Sequence, residues 1–146
     1  MSVYDAIARL YNPWSASVTE DVEFYVEEAR TSGGPVVELA CGTGRIAVPI
    51  AKAGIDVIGV DASAGMLAVA REYAAAESVE LDLREGDMRR PPVEERVPLV
   101  LIPFRSLLHM TTEADRLRAL TAARELLLPG GRLVFDVFAP SAEDVE

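Results

Sequence analysis

The sequence predicts an α/β protein in which helices cover both faces of a doubly wound parallel sheet. Three observations predict it. Short apolar runs alternate along the chain with longer segments of helical spacing. Glycine and proline breaks separate many of them. One run, "VPLVLIP", is almost wholly apolar, as a strand buried on both faces would be. Strands alternating with helices mean parallel strands joined by crossover helices.

Taken in order, "SVTEDVEFYVEEART" opens with Ser17 and Glu20 in capping-box spacing, and Val22, Tyr25, Val26 and Ala29 recur at helical intervals. Gly33, Gly34 and Pro35 stop that helix, and "PVVELA" is the first strand. "GRIAVPIAKAG" reads as a helix closed by Gly54; Pro49 is tolerable only near its first turn, where amide protons lack partners anyway. "IDVIGVD" is the second strand, and Ser63 caps the alanine-rich helix that follows. "VELDLREGD" alternates Val79, Leu81 and Leu83 as a third strand, and "VPLVLIP" is the fourth. Thr112 and Asp115 stand in capping spacing at the head of a long amphipathic helix. Pro129-Gly130-Gly131 is expected to end it before a fifth strand, "RLVFDVF".

A chain of 146 residues is one domain by length. It divides into an N-terminal helical cap over 1–34, a core over 35–138 and an acidic tail over 139–146. No apolar run approaches the ~20 residues that span a bilayer, and the N-terminus lacks the layout of a secretion signal. A cytoplasmic protein without membrane contact is therefore expected. One cysteine, Cys41, excludes an internal disulfide and a multi-cysteine zinc site, so no metal is expected. The net charge of −10 argues against nucleic acid, whose binding needs lysines and arginines to displace counterions. Arg89 and Arg90 in "MRRPP" read as a solvated turn rather than a basic patch.

"ELACGTG" follows the first strand. In an open parallel sheet, ligands bind beyond the carboxyl ends of the strands, where the strand order reverses. Gly42 and Gly44 let the backbone bend tightly and approach a ligand closely. With Ala47 the pattern also satisfies the dinucleotide fingerprint, and Asp61, 17 residues after Gly44, can accept both hydrogen bonds of a ribose diol. Those features leave NAD and S-adenosylmethionine both open. Glu38 separates them: beside the loop it would repel a pyrophosphate but suits a cationic amino group. Asp87 in "REGDM", at the end of the third strand, can accept from an adenine amine, with Met88 packing on the ring.

On these motifs the chain resembles the class I S-adenosylmethionine-dependent methyltransferases. "VVELACGTGRIA" is similar to their first motif, "VIGVDAS" to their ribose-binding segment, "REGDM" to their adenine-contacting acid and "LLPGGRLVF" to their approach to strand five. The likeness runs from about Tyr4 to Phe138. The family's first loop glycine is Ala40 here. The resemblance implies a Rossmann-like sheet in the order 3-2-1-4-5, with N-terminal helices over the cofactor site. It also implies two further strands, six and seven, for which no residues follow strand five. "RLVFDVF" would then be an apolar edge, through which the chain is expected either to self-associate as a homo-oligomer or to be a shortened form of a longer protein.

Carried over to this chain, the resemblance implies that Glu38, Ala40, Gly42 and Gly44 line the methionine portion, with Cys41 counted among the cofactor-binding residues. Asp61 would hold the ribose hydroxyls with Ala62 and Met66 nearby, and Asp87 and Met88 would frame the adenine. Pro103 and Phe104 would face the sulfonium and the incoming substrate, under a lid carrying Tyr11 and Trp14. The implied chemistry is in-line methyl transfer to a small-molecule acceptor, with reacting atoms held ~3–3.5 Å apart. His109 is the candidate base; its other reading is to orient the loop or line the pocket. Arg105 could bind a substrate carboxylate or be simply exposed. Cys41 reads as packing rather than as a nucleophile. Two alternatives stand beside a methyltransferase: a module that binds S-adenosylmethionine or S-adenosylhomocysteine without turnover, and an NAD-dependent oxidoreductase.

Overall fold

The computed structural model describes residues 20–102 and 112–135. They form helix α1 (Glu20–Ser32), strand β1 (Val36–Leu39), α2 (Ala47–Lys52), β2 (Val57–Asp61), α3 (Ala64–Ala76), β3 (Asp82–Glu85), β4 (Val97–Ile102), α4 (Glu113–Glu125) and β5 (Leu127–Phe135). The five strands make one sheet in the order β3-β2-β1-β4-β5. Every neighbouring pair is parallel, as the alternation of strands and helices requires.

Side chains alternate between the two faces with period two. Val36, Val57, Leu99 and Leu101 pack with Tyr25 and Ala29 of α1 and Ala47 and Ile50 of α2. Val37, Leu39, Ile58, Val60, Val100 and Ile102 turn the other way, toward Ala119 and Ala123 of α4. β1 is buried at all four residues because it is the middle strand, covered on both faces. The register sets Glu38 of β1 beside Gly59 of β2 and Leu101 of β4. The strand order reverses between β1 and β4, which puts the ligand crevice of such sheets at the loop leaving β1.

Of the three predicted hydroxyl caps, Ser17 lies outside the described residues, and the other two form. Ser63 Oγ accepts from the Met66 amide at 3.1 Å and Thr112 Oγ1 from the Asp115 amide at 3.1 Å. Pro49 is the third residue of α2, within its first turn. Two strands differ from expectation. β3 begins only at Asp82, because the Val79 amide donates to Ala74 O at the exit of α3 and is lost to the sheet. β5 begins earlier than expected, at Leu127, so Pro129-Gly130-Gly131 is not its boundary. That tripeptide bulges between the pairs Val97–Leu127 and Leu99–Arg132, leaving the strand to resume beyond it.

Candidate functional site

The site is built on the carboxyl end of β1. Ala40 and Gly42 both have positive φ, 60° and 58°, so the chain reverses immediately after the strand. A Cβ placed on Gly42 would meet nothing within 4 Å, so this turn presents bare backbone to open space. Gly44 is constrained differently: at φ 84° its absent Cβ would lie 3.1 Å from Val48 and 3.4 Å from Ala70, which seats the turn against α2 and α3.

Asp61 organises this turn. One carboxylate oxygen accepts from the Gly42 amide at 2.8 Å, and the other accepts from the Ser63 amide at 2.9 Å. The last residue of β2 thereby fixes both the glycine turn and the head of α3. Ala62 beside it is exposed, whereas Met66 is buried within α3. The main chain continues the zipper: the Cys41 amide donates to Val60 O at 3.0 Å and the Gly86 amide to Asp61 O at 2.9 Å.

Glu38 is the unusual group. It is 1% exposed, and among the described residues its Oε1 has no hydrogen-bond partner. The Ala47 amide at the start of α2 donates to the carboxylate. Burial pushes its pKa well above the usual glutamate range; the Arg45 charge opposes that rise, and the negative charges of Asp61 and Asp21 add to it. A buried carboxylate with an idle oxygen carries a desolvation cost that a cationic ligand would relieve. Burial, with Glu38 and Asp61 nearby, likewise pushes the Cys41 thiol up, which makes it a poor nucleophile.

At the end of β3, Asp87 is half exposed and its carboxylate is engaged by Arg89, whose Nε lies 2.9 Å from Oδ1 and whose amide lies 2.8 Å from the same oxygen. Arg89 also reaches Asp115 of α4 at 2.9 Å. These contacts hold the carboxyl of Asp87 below the usual aspartate range. Met88 is buried in the core. Arg89, Arg90 and Arg118 line a shallow depression with Asp87.

The structure therefore draws Glu38, Cys41 and Asp61 into one electrostatic neighbourhood and sets Asp87 beyond them at the neighbouring strand end. Tyr11, Trp14, Pro103, Phe104, Arg105 and His109 lie outside the described residues. Two residues were missed by the sequence reading. Arg45, next to Gly44, makes a two-pronged ion pair with Asp21 at the start of α1, each contact 2.8 Å, and both side chains are largely buried. A basic residue leaving the glycine turn, with an acid at a helix start, was the available signal.

Among the described residues, no helix is long and apolar enough to cross a membrane, and no group of three or more His, Cys, Asp or Glu is placed to hold a metal ion.

Comparison with known proteins agrees with this geometry. The family described as "Methyltransferase domain" matches residues 36–131. The chain is 36% identical over 99 residues to a ubiquinone biosynthesis O-methyltransferase of Dinoroseobacter shibae, covering 66% of this chain and 38% of the relative. It is 30% identical over 126 residues to a glycine/sarcosine N-methyltransferase of Aphanothece halophytica, covering 84% and 48%. The glycopeptide N-methyltransferase MtfA, solved with S-adenosyl-L-homocysteine, superposes with a TM-score of 0.70 at 31% identity, over 80% of this chain and 47% of that one. The chain spans about half the length of many of the curated relatives it matches. With a five-stranded 3-2-1-4-5 sheet, an acid-headed glycine turn and a family match over most of its length, the chain belongs to the class I S-adenosylmethionine-dependent methyltransferases.

Proposed function

We propose that the protein transfers a methyl group from S-adenosylmethionine to a small-molecule acceptor by in-line displacement. One observation carries the reading: the buried Glu38 carboxylate at the crevice has an oxygen without a partner among the described residues. The residues present fit the cofactor. Glu38 would take its amino group, and the Gly42 turn offers backbone without side-chain obstruction. Asp61, whose two oxygens each accept a backbone amide at the glycine turn and at the head of α3, would take the ribose hydroxyls. Asp87 would share its carboxylate between Arg89 and the adenine amine.

When bound, the cofactor supplies an activated methyl group on a sulfonium. The protein's own part is orientation: Asp61 and the glycine turn hold one reactant, so an acceptor needs only to be aligned with it. His109 would act as a base where the acceptor must lose a proton. The net charge of −10 supports a small molecule over nucleic acid. Relatives named for O- and for N-methylation leave the acceptor atom open.

The test is calorimetry with S-adenosylmethionine, S-adenosylhomocysteine and NAD, followed by methyl-donor consumption over a panel of small acceptors. Binding of the first two and turnover of one acceptor is expected. Binding of NAD alone would overturn the reading, and cofactor binding with no turnover across the panel would assign a binding module.

A further inference from the structure

Arg89 holds Asp87 with three donors. Its amide lies 2.8 Å and its Nε 2.9 Å from Oδ1, while Nε and Nη2 also reach Oδ2. A guanidinium edge laid along a carboxylate fixes the plane of the acid as well as its position. The guanidinium is itself braced from its other end, where Nη1 donates to Asp115 Oδ1 at 2.9 Å. Asp115 is placed in turn by the cap of α4, its amide donating to Thr112 Oγ1. Arg90 and Arg118 line the same depression, but Arg90 meets Asp87 through the main chain, its amide donating to Asp87 O at 3.0 Å. Even so held, the Asp87 side chain is 43% exposed, so the carboxylate is oriented without being covered.

From this we propose that Arg89 is a positioning residue for adenine recognition: braced on Asp115 of α4, it sets the Asp87 carboxylate in one orientation to accept the exocyclic amine. The inference rests on the methyltransferase reading above and extends its adenine contact to two residues which that reading leaves aside. An aspartate without such a partner turns about its side-chain bonds and must be ordered when a ligand arrives. The Arg89 fork orders it beforehand. Exposed ion pairs contribute little to stability, and Arg89 is 39% exposed, so its effect belongs to binding rather than to folding. The bridge joins the turn after β3 to the head of α4, which gives that helix a part in choosing the base.

The test is calorimetry on the whole chain with S-adenosylhomocysteine and with S-inosylhomocysteine, in which a carbonyl replaces the adenine amine. The unmodified protein is expected to prefer S-adenosylhomocysteine by about thirtyfold, the worth of a hydrogen bond to a charged acceptor. Arg89→Met should cut that preference about fivefold, since Asp87 must then be ordered on binding. Arg89→Lys should cut it as far, because a lysine restores the charge but not the fork. Asp115→Ala, which keeps the capping amide, should cut it about twofold to threefold. Both ligands weakened equally in Arg89→Met, a preference unchanged there, or one restored by Arg89→Lys would each overturn the proposal. An unaffected Asp115→Ala would overturn the bracing from α4. If the unmodified protein binds neither ligand, the functional reading fails; if it binds both equally well, that reading stands and this inference alone falls.

Discussion

The Cys41 thiol occupies the space that a side chain on Gly59 would need. A Cβ on Gly59 would lie 2.9 Å from Cys41 Sγ and 2.9 Å from Leu83 Cδ2. Cys41 belongs to the glycine turn after β1 and Gly59 to the centre of β2, so the absence of a side chain on the strand lets the turn lie down on the sheet. Only 5% of Cys41 is exposed, which is what a packing role requires. Gly59→Ala should therefore cost about 1–3 kcal/mol of stability, through overpacking rather than backbone strain. Adding Cys41→Ala should recover part of that loss, because it removes one of the two closest atoms. Urea unfolding of the two single variants and the double variant measures the coupling; additive effects would show that the two residues do not meet.

Glu38 should make the protein less stable as pH rises through the acid range. Above the ordinary glutamate value of 4.5, the unfolded chain releases this proton while the folded chain, with its raised pKa, keeps it. Stability from this group is thus fully present below 4.5 and declines upward until the folded carboxyl ionises. Glu38→Gln cannot titrate, so its stability relative to the unmodified protein should improve as pH rises from about 4 toward neutrality. The same change should weaken S-adenosylhomocysteine about a hundredfold, since its ammonium loses its counter-charge. Chemical denaturation across pH gives the first quantity and calorimetry the second. A stability difference that does not vary with pH would refute the assignment.

How far the molecule was legible follows from the range of each interaction. Ser63 and Thr112 announced their helices because a cap is a contact across three residues. β4 was legible because a strand covered on both faces must be apolar throughout. The start of β3 was not, since Val79 continues the alternation while its amide serves the helix exit. Glu38 and Asp61 stood out as candidate site residues from their places near strand ends, but Asp61's grip on the Gly42 amide spans 19 residues and depends on strand register. The Arg45–Asp21 pair spans 24 residues and exists only once α1 docks beside α2, so no local pattern encodes it.

On the acid side a different cluster should act with the opposite sign. Arg84 on the edge strand β3 bonds both oxygens of Asp82 and of Glu95, as well as Pro92 O at 2.9 Å. It holds Asp82 below the usual aspartate range and pulls Glu95 down to about 2. Depressed carboxylates stabilise the fold above their unfolded values, 3.8 and 4.5, and that contribution is lost as pH falls toward about 2. Arg84→Gln should flatten this part of the acid-unfolding curve. Because the acids are solvent-exposed, ~1 M salt should erase most of the difference. A difference that survives high salt would show that Arg84 acts through packing against Pro92 instead.

Ala40 is the remaining departure from the family's loop, and it sits at φ 60°, where an alanine is strained by about 1–2 kcal/mol. Ala40→Gly would release that strain, yet it adds backbone freedom to the unfolded chain worth roughly 0.5–1 kcal/mol. It also removes a methyl that packs against the core beside the sheet. The first effect should exceed the others narrowly, so a gain of about 0.5 kcal/mol is expected. A shift in the urea midpoint with an unchanged slope would register it. S-Adenosylhomocysteine affinity should hold or weaken slightly, because the looser turn must be ordered when the ligand arrives. A clear loss of stability would mean that Ala40 contributes more through its packing than it costs in conformation.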